Sequence, residues 1–96
     1  MAGYIIAQVD ITDPEIFEIY RSQVPATLKP FGGEFVIRGG AMEELEGEWP
    51  NPRVVVIQFP SVEQAKAWWA SEEYEGPKTL RQSASHTNMI VVEGVA

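Results

Sequence analysis

Arg38 and Arg81 are the side chains best suited to holding a ligand. Arginine stays charged at any working pH, and its planar fork of donors matches a carboxylate or phosphate. Arg38 stands beside Gly39 and Gly40, where the lack of side chains lets a ligand or another backbone come close. Arg81 follows an apolar position near the end of the chain. The competing use of both arginines is an internal ion pair, with Glu46 and Glu93 among the available carboxylates. Trp68 and Trp69 are adjacent, and neighbouring residues on a helix point about 100° apart. One of them therefore belongs to the core, and Trp69 with Tyr74 is expected to supply the apolar wall of a pocket. Tyr20 and Tyr74 carry phenols that could orient a ligand or donate a proton. His86 is the one side chain whose ordinary pKa lies near neutrality. Tyr20 and His86 are thus the candidate proton handlers. Against a catalytic His86 stands a plain solvent-facing position at the start of a strand, beside Ser83, Ser85 and Asn88.

Other chemistries are excluded by composition. There is no cysteine and a single histidine, so no thiol nucleophile, disulfide or multi-histidine metal site can form within one chain. Glu43, Glu44, Glu46 and Glu48 form an acidic run. Three of them would share one face of a strand, yet a solvated ribbon accounts for them better than a calcium or magnesium site. No phosphate-cradling glycine loop and no G-x-S-x-G motif is present. No metal and no cofactor is expected. Fourteen acidic against seven basic residues give a net charge of −7, which opposes binding to nucleic acid or an anionic membrane. No apolar run approaches 18 residues, and the N-terminus lacks a charged-then-apolar leader. A soluble, cytoplasmic protein is expected. Ninety-six residues make one domain with one core, spanning residues 1–96.

Patterning supplies the elements that position these residues. Tyr4 to Ile11 alternates as a strand, with Ile5, Ala7, Val9 and Ile11 on one face. Thr12-Asp13-Pro14-Glu15 reads as a capping box from Thr12 to Glu15, opening a helix with a stripe of Ile16, Phe17, Tyr20 and Val24. Pro25 should break or kink that helix. A second strand covers Glu34 to Arg38, Gly39-Gly40 reads as a bulge or bend, and Ala41 to Glu46 can extend the ribbon. Two prolines make Gly47 to Pro52 a loop. Arg53 to Phe59 is a strand built on four consecutive β-branched residues, Val54 to Ile57. Ser61 to Gln64 is a capping box for a helix carrying Val62, Ala65, Trp68 and Trp69. Ser71 caps a further turn, Gly76-Pro77 breaks it, and a short helix over Lys78 to Ala84 leads to a last strand, Thr87 to Glu93. The order β-α-β-β-α-β predicts an α+β, ferredoxin-like fold with a four-stranded antiparallel sheet and helices on one face.

Both faces of that sheet are apolar. Val54 and Val56 oppose Val55, Ile57 and Phe59, and Ile90 and Val92 oppose Met89 and Val91. Two helices cover one face only, so a second copy of the chain is the simplest cover for the other, sheet against sheet. Gln8, Gln58 and Arg38 would give that layer a polar component.

The ordered series of short motifs resembles one family. Thr12-Asp13-Pro14-Glu15 with Tyr20-Arg21 comes first, then Phe31-Gly32-Gly33 with Arg38-Gly39-Gly40. Leu45-Glu46-Gly47-Glu48-Trp49 leads to Arg53-Val54-Val55-Val56. Phe59-Pro60-Ser61 precedes Ala65 to Trp69, Ser71, Tyr74 and Arg81, and Val91-Val92-Glu93-Gly94 closes the series. Together they resemble the Domain of Unknown Function 1330 family, a branch of the dimeric α/β-barrel superfamily. That resemblance implies a ferredoxin-like protomer pairing through its sheets, with a small pocket between sheet and helices. It raises Arg38 and Arg81, which fall at motif positions, and it implies no established reaction. Distant branches include cofactor-free monooxygenases and haem-degrading enzymes. The latter use a helix histidine and a first-strand asparagine, whereas here His86 starts the last strand and the first strand carries Gln8, so haem is not expected. The functional expectation is a pocket for a small anionic or aromatic molecule, with or without turnover. The alternatives are a non-catalytic interaction dimer and a cofactor-free monooxygenase.

Overall fold

The computed structural model describes residues 1–96. Strand β1 (Gly3–Ile11) alternates as its sequence requires, with Ile5, Ala7 and Val9 buried and Tyr4, Ile6 and Gln8 half-buried on the other face. Helix α1 (Pro14–Leu28) is capped by Asp13, not by Thr12: the Asp13 carboxylate accepts from the Ile16 N–H at 3.2 Å. With Pro14 pre-set for the first helical position, Asp13 is the last extended residue and so the one able to cap. The helix runs through Pro25, where a break or kink was expected, without ending there. Proline removes a single N–H, the one that would meet the carbonyl of Arg21, and that oxygen finds another donor.

A 3-10 turn (Lys29–Phe31) ends at Gly32, whose φ of 72° favours a residue without a side chain. Strands β2 (Glu34–Arg38) and β3 (Arg53–Phe59) follow. No strand covers Ala41 to Glu46, contrary to the extended ribbon expected, because Gly39 at φ +68° turns the chain out of the ladder. Helix α2 (Val62–Trp69) is capped by Ser61 as expected. Helix α3 (Glu72–Ala84), capped by Ser71, is longer than the Lys78–Ala84 expected and includes Gly76-Pro77. Pro77 lies early in that helix, and its missing N–H orphans only the Glu73 carbonyl. Strand β4 (Ser85–Glu93) starts at Ser85, which pairs with Ile11.

The sheet has the antiparallel order β2-β3-β1-β4. The architecture is α+β and ferredoxin-like, as expected. Phe17, Tyr20 and Val24 from α1, Trp68 from α2 and Tyr74 from α3 pack onto Ile5, Ala7, Ile57 and Phe59 of the sheet. On the opposite face, register aligns Ile37, Val56, Ile6 and Ile90 in one row across all four strands. Ile37 and Ile90, at its two ends, are 44% and 58% exposed.

Arg38 is not on that outer face, which corrects the expectation that it joins Gln8 and Gln58 there. The ladder between β2 and β3 has a bulge between Phe35 and Ile37. Phe35 pairs with Ile57, Ile37 with Val56 and Arg38 with Val55. The extra residue, Val36, reverses the alternation, so Phe35 and Arg38 both face the helices and Ile37 faces away. No helix of the protein is long and apolar enough to cross a membrane.

Candidate functional site

Arg21, Arg38, Arg53 and Arg81 are all the arginines of the chain, and each reaches its place by a different local rule. Arg21 follows the buried Tyr20 on α1. Arg38 is turned inward by the bulge. Arg53 opens β3 opposite Val9 and is in phase with Val55 and Ile57, so it points to the helix side. Arg81 sits on α3, only 6% exposed. All four line one cavity of about 30 Å³ between sheet and helices, together with Tyr20. In a protein of net charge −7 that convergence is selective.

Glu18 is the one carboxylate that pairs with the group, and it meets only Arg21; Arg38, Arg53 and Arg81 have no ion-pair partner. The ion pairs are Arg21 with Glu18 at 3.4 Å, on the surface, and Lys78 with Glu75 at 3.4 Å. Neither Glu46 nor Glu93 pairs with Arg38 or Arg81. Arg38 donates from Nη2 to the main-chain oxygen of Arg21 at 2.8 Å and stacks 4.2 Å above the Phe35 ring. Arg53 lies 5.9 Å from the Phe17 ring centre. The Nε atoms of Arg21 and Arg53 are buried without a hydrogen-bond partner. Unpartnered buried donors of this kind are rare and costly. Burial, reinforced by the charge of Arg21, pulls the Arg38 pKa below its ordinary value. Burial, then Arg21 and Arg38, do the same to Arg53. The cavity therefore gathers partly buried cations, of which Arg38 and Arg53 are disfavoured by burial and by neighbouring arginines, and an anion would relieve them.

A hydrogen-bonded chain orients Arg81. Its Nε donates to the Tyr74 hydroxyl at 3.2 Å, and that hydroxyl is 2.8 Å from the Tyr20 hydroxyl. Tyr74 is fully buried, stacked on Trp68 with ring centres 3.9 Å apart. Tyr74 does not itself line the arginine cavity and acts through Arg81. Burial, then Tyr74, push the Tyr20 phenol well above the usual tyrosine range. Tyr20 therefore keeps its proton and serves as a hydrogen-bonding hydroxyl, which corrects the expectation that it handles protons.

Beyond Arg81 lies an open groove of about 840 Å³ along β4, bordered by Trp69, Lys66, Gln82, His86 and Asn88. Trp68 is the core tryptophan, its indole N–H donating to the Thr27 hydroxyl at 3.0 Å, while Trp69 is 44% exposed. His86 pairs with Asp10 in the ladder and is exposed. The acidic run lies on an exposed loop, where the Glu44 carboxylate accepts from the Trp49 N–H at 2.8 Å. No group of His, Asp and Glu side chains converges to hold a metal.

Of the residues singled out in the sequence, Arg38, Arg81 and Tyr20 meet at the arginine cavity, Arg81, Trp69 and His86 border the groove, and Tyr74 lies behind both. Arg21 and Arg53 were missed. The readable signal for Arg53 was its phase: it alternates with Val55 and Ile57, the core face of its strand.

The fold is shared with solved structures of low sequence identity. A protein of unknown function from Rhodopseudomonas palustris is 17% identical, with a TM-score of 0.80 over 99% of this chain and 83% of that one. SnoaB, a cofactor-independent oxygenase from Streptomyces nogalater, is 14% identical, with a TM-score of 0.70 over 99% and 94%. HapK from Hahella chejuensis is 17% identical, with a TM-score of 0.65 over 97% and 92%. No curated protein matches the chain in sequence. A family profile described as a domain of unknown function matches residues 2–95, and the chain belongs to that family, DUF1330.

Proposed function

We propose that the protein binds a small organic anion, a carboxylate first, in the arginine cavity. The convergence of all four arginines on one cavity, two with buried unpartnered Nε atoms, supports this reading. Tyr20 adds a protonated donor, and Arg81 is oriented by Tyr74 so that its fork remains for the ligand. The test is a thermal-shift panel of small carboxylates, aromatic acids and phenols, on the wild type and an Arg38→Ala, Arg81→Ala double variant. A ligand at 100 times its Kd stabilises by about 2.7 kcal/mol, and each kcal/mol moves the midpoint of a domain this size by about 4–8 °C. A carboxylate-specific shift, lost in the variant, is expected. A panel without any shift would replace this reading with a non-catalytic interaction dimer.

The protein acts as a homodimer in this proposal, its outer sheet face packed on a second copy. The exposed row Ile37, Val56, Ile6, Ile90 supports that pairing, since an apolar row crossing a whole sheet is not left to water. A second reading, turnover by a cofactor-independent oxygenase, draws on the fold shared with SnoaB. In it Tyr20, held protonated, offers the substrate a hydrogen bond, and the readout is oxygen uptake with an activated phenol.

A further inference from the structure

The arginine cavity is too small to be a complete site. A water needs roughly 10–15 Å³ of such space, so a cavity of about 30 Å³ holds two waters, or the two oxygens of one carboxylate. Whatever carries that carboxylate must lie elsewhere. Three residues, Ile5, Arg81 and Met89, line both the cavity and the 840 Å³ groove along β4, so the two compartments adjoin at Arg81. The Arg81 Nε is committed to Tyr74, and its two Nη atoms have no partner among the protein's hydrogen bonds. The groove wall is built rather than loose: Lys78 donates to the Trp69 carbonyl at 3.0 Å and lies 4.0 Å over the indole ring. Met89 and Val91, on the helix-facing side of β4, extend that apolar surface.

We propose that the ligand is a monocarboxylate bearing an aromatic body, its head among the arginines and its body in the groove beside Trp69. This inference rests on the anion-binding reading and adds the substrate class. The head is a single carboxylate because the cavity has no room for a larger anion, and because the chain's net charge of −7 disfavours a polyanion. The body is aromatic because a half-exposed, immobilised indole offers a flat face, and flat stacking costs little rotamer entropy.

Titration calorimetry with three probes tests it: acetate, 2-naphthylacetate and the neutral 2-naphthaleneethanol. 2-Naphthylacetate is expected to bind at least about tenfold tighter than acetate, the gain from burying one ring system. The neutral analogue is expected to bind at least about tenfold weaker than the acid. In Trp69→Ala, a substitution at a half-exposed position that circular dichroism would verify as folded, the ratio of naphthylacetate to acetate affinity should fall to below about threefold. Equal affinities for acetate and naphthylacetate would overturn the two-compartment ligand while leaving the anion site standing. Equal affinities for the acid and its neutral analogue would overturn the placement of the head among the arginines. Absence of binding by both acids would overturn the anion site itself.

Discussion

Arg38 and Arg21 carry like charges, yet they meet through a hydrogen bond: Nη2 of Arg38 donates to the main-chain oxygen of Arg21 at 2.8 Å. That oxygen is free because Pro25, four residues on, has no N–H to give it. The helix irregularity and the position of the arginine are one feature.

Pro25→Ala should therefore separate stability from binding. It supplies the missing helical N–H and removes the ring clash, so stability to urea should rise by about 1–3 kcal/mol. The new N–H competes for the Arg21 carbonyl, and acetate affinity should fall several-fold as Arg38 loses its strut. A gain in stability with affinity unchanged would show that Arg38 is held by its stacking on Phe35 alone.

Gly39→Ala tests the placement of Arg53. A Cβ at residue 39 would overlap the Arg53 guanidinium, at a φ of +68° that side chains rarely adopt. A loss of about 1–2 kcal/mol is expected from the backbone alone, with weaker carboxylate binding as Arg53 is displaced. At Gly40 an added Cβ meets nothing, and Gly40→Ala should lie within about 0.5 kcal/mol of the wild type. Unchanged carboxylate binding in Gly39→Ala would contradict the contact with Arg53, whatever the loss of stability.

The two buried tyrosines should rank unequally. Tyr74→Phe leaves the Arg81 Nε without its acceptor and should cost about 1–3 kcal/mol by urea denaturation. Tyr20→Phe removes one hydroxyl contact while Tyr74 still receives Arg81, and should cost about 0.5–1.5 kcal/mol. The reverse order would show that the chain does not serve to orient Arg81.

Alkaline pH gives Tyr20 a separate signature. Its folded pKa is raised, so its contribution is fully present below the unfolded value of about 10. Above that, the unfolded chain ionises while the folded phenol stays protonated. Stability should then fall by about 1.4 kcal/mol per pH unit from this group. Denaturation followed from pH 9 to 11 should show that component in the wild type and lack it in Tyr20→Phe. Identical slopes would mean that Tyr20 ionises freely in the fold.

Ile90→Asp addresses the dimer. A charge at one end of the apolar row should shift sedimentation from dimer to monomer without unfolding, since Ile90 is 58% exposed within one copy. A wild type that sediments as a monomer at every concentration would remove the sheet-to-sheet pairing.

The sequence carried these strands well: Ile5, Ala7 and Val9 announce a buried face by alternation, and Val54 to Ile57 announce a strand by four consecutive β-branched residues. It carried the capped helices at Ser61 and Ser71 because the cap is a local bond. Pro25 and Pro77 misled, since each removes one N–H while the helix depends on all the others and on its packed face. The arginine cavity was half legible. Arg38 and Arg81 stood out by type, and Arg53 could have been found by its phase with Val55 and Ile57, but the inward turn of Arg38 appears only once β2 is paired with β3, and Arg21 could be placed only once α1 lay against the sheet. Register and packing are non-local, and no spacing within a single element records them.

The bulge at Val36 has an evolutionary reading. A relative could keep Phe35, Val36, Ile37 and Arg38 unchanged and still pair its second strand without the irregularity. Ile37 would then fill the interior and Arg38 would lie on the outer face, since a shift of one residue exchanges the two sides of a strand. The same letters would encode an oily pocket in one protein and a cationic one in its cousin. An alignment would score the two strands as identical, although their ligands would differ in charge.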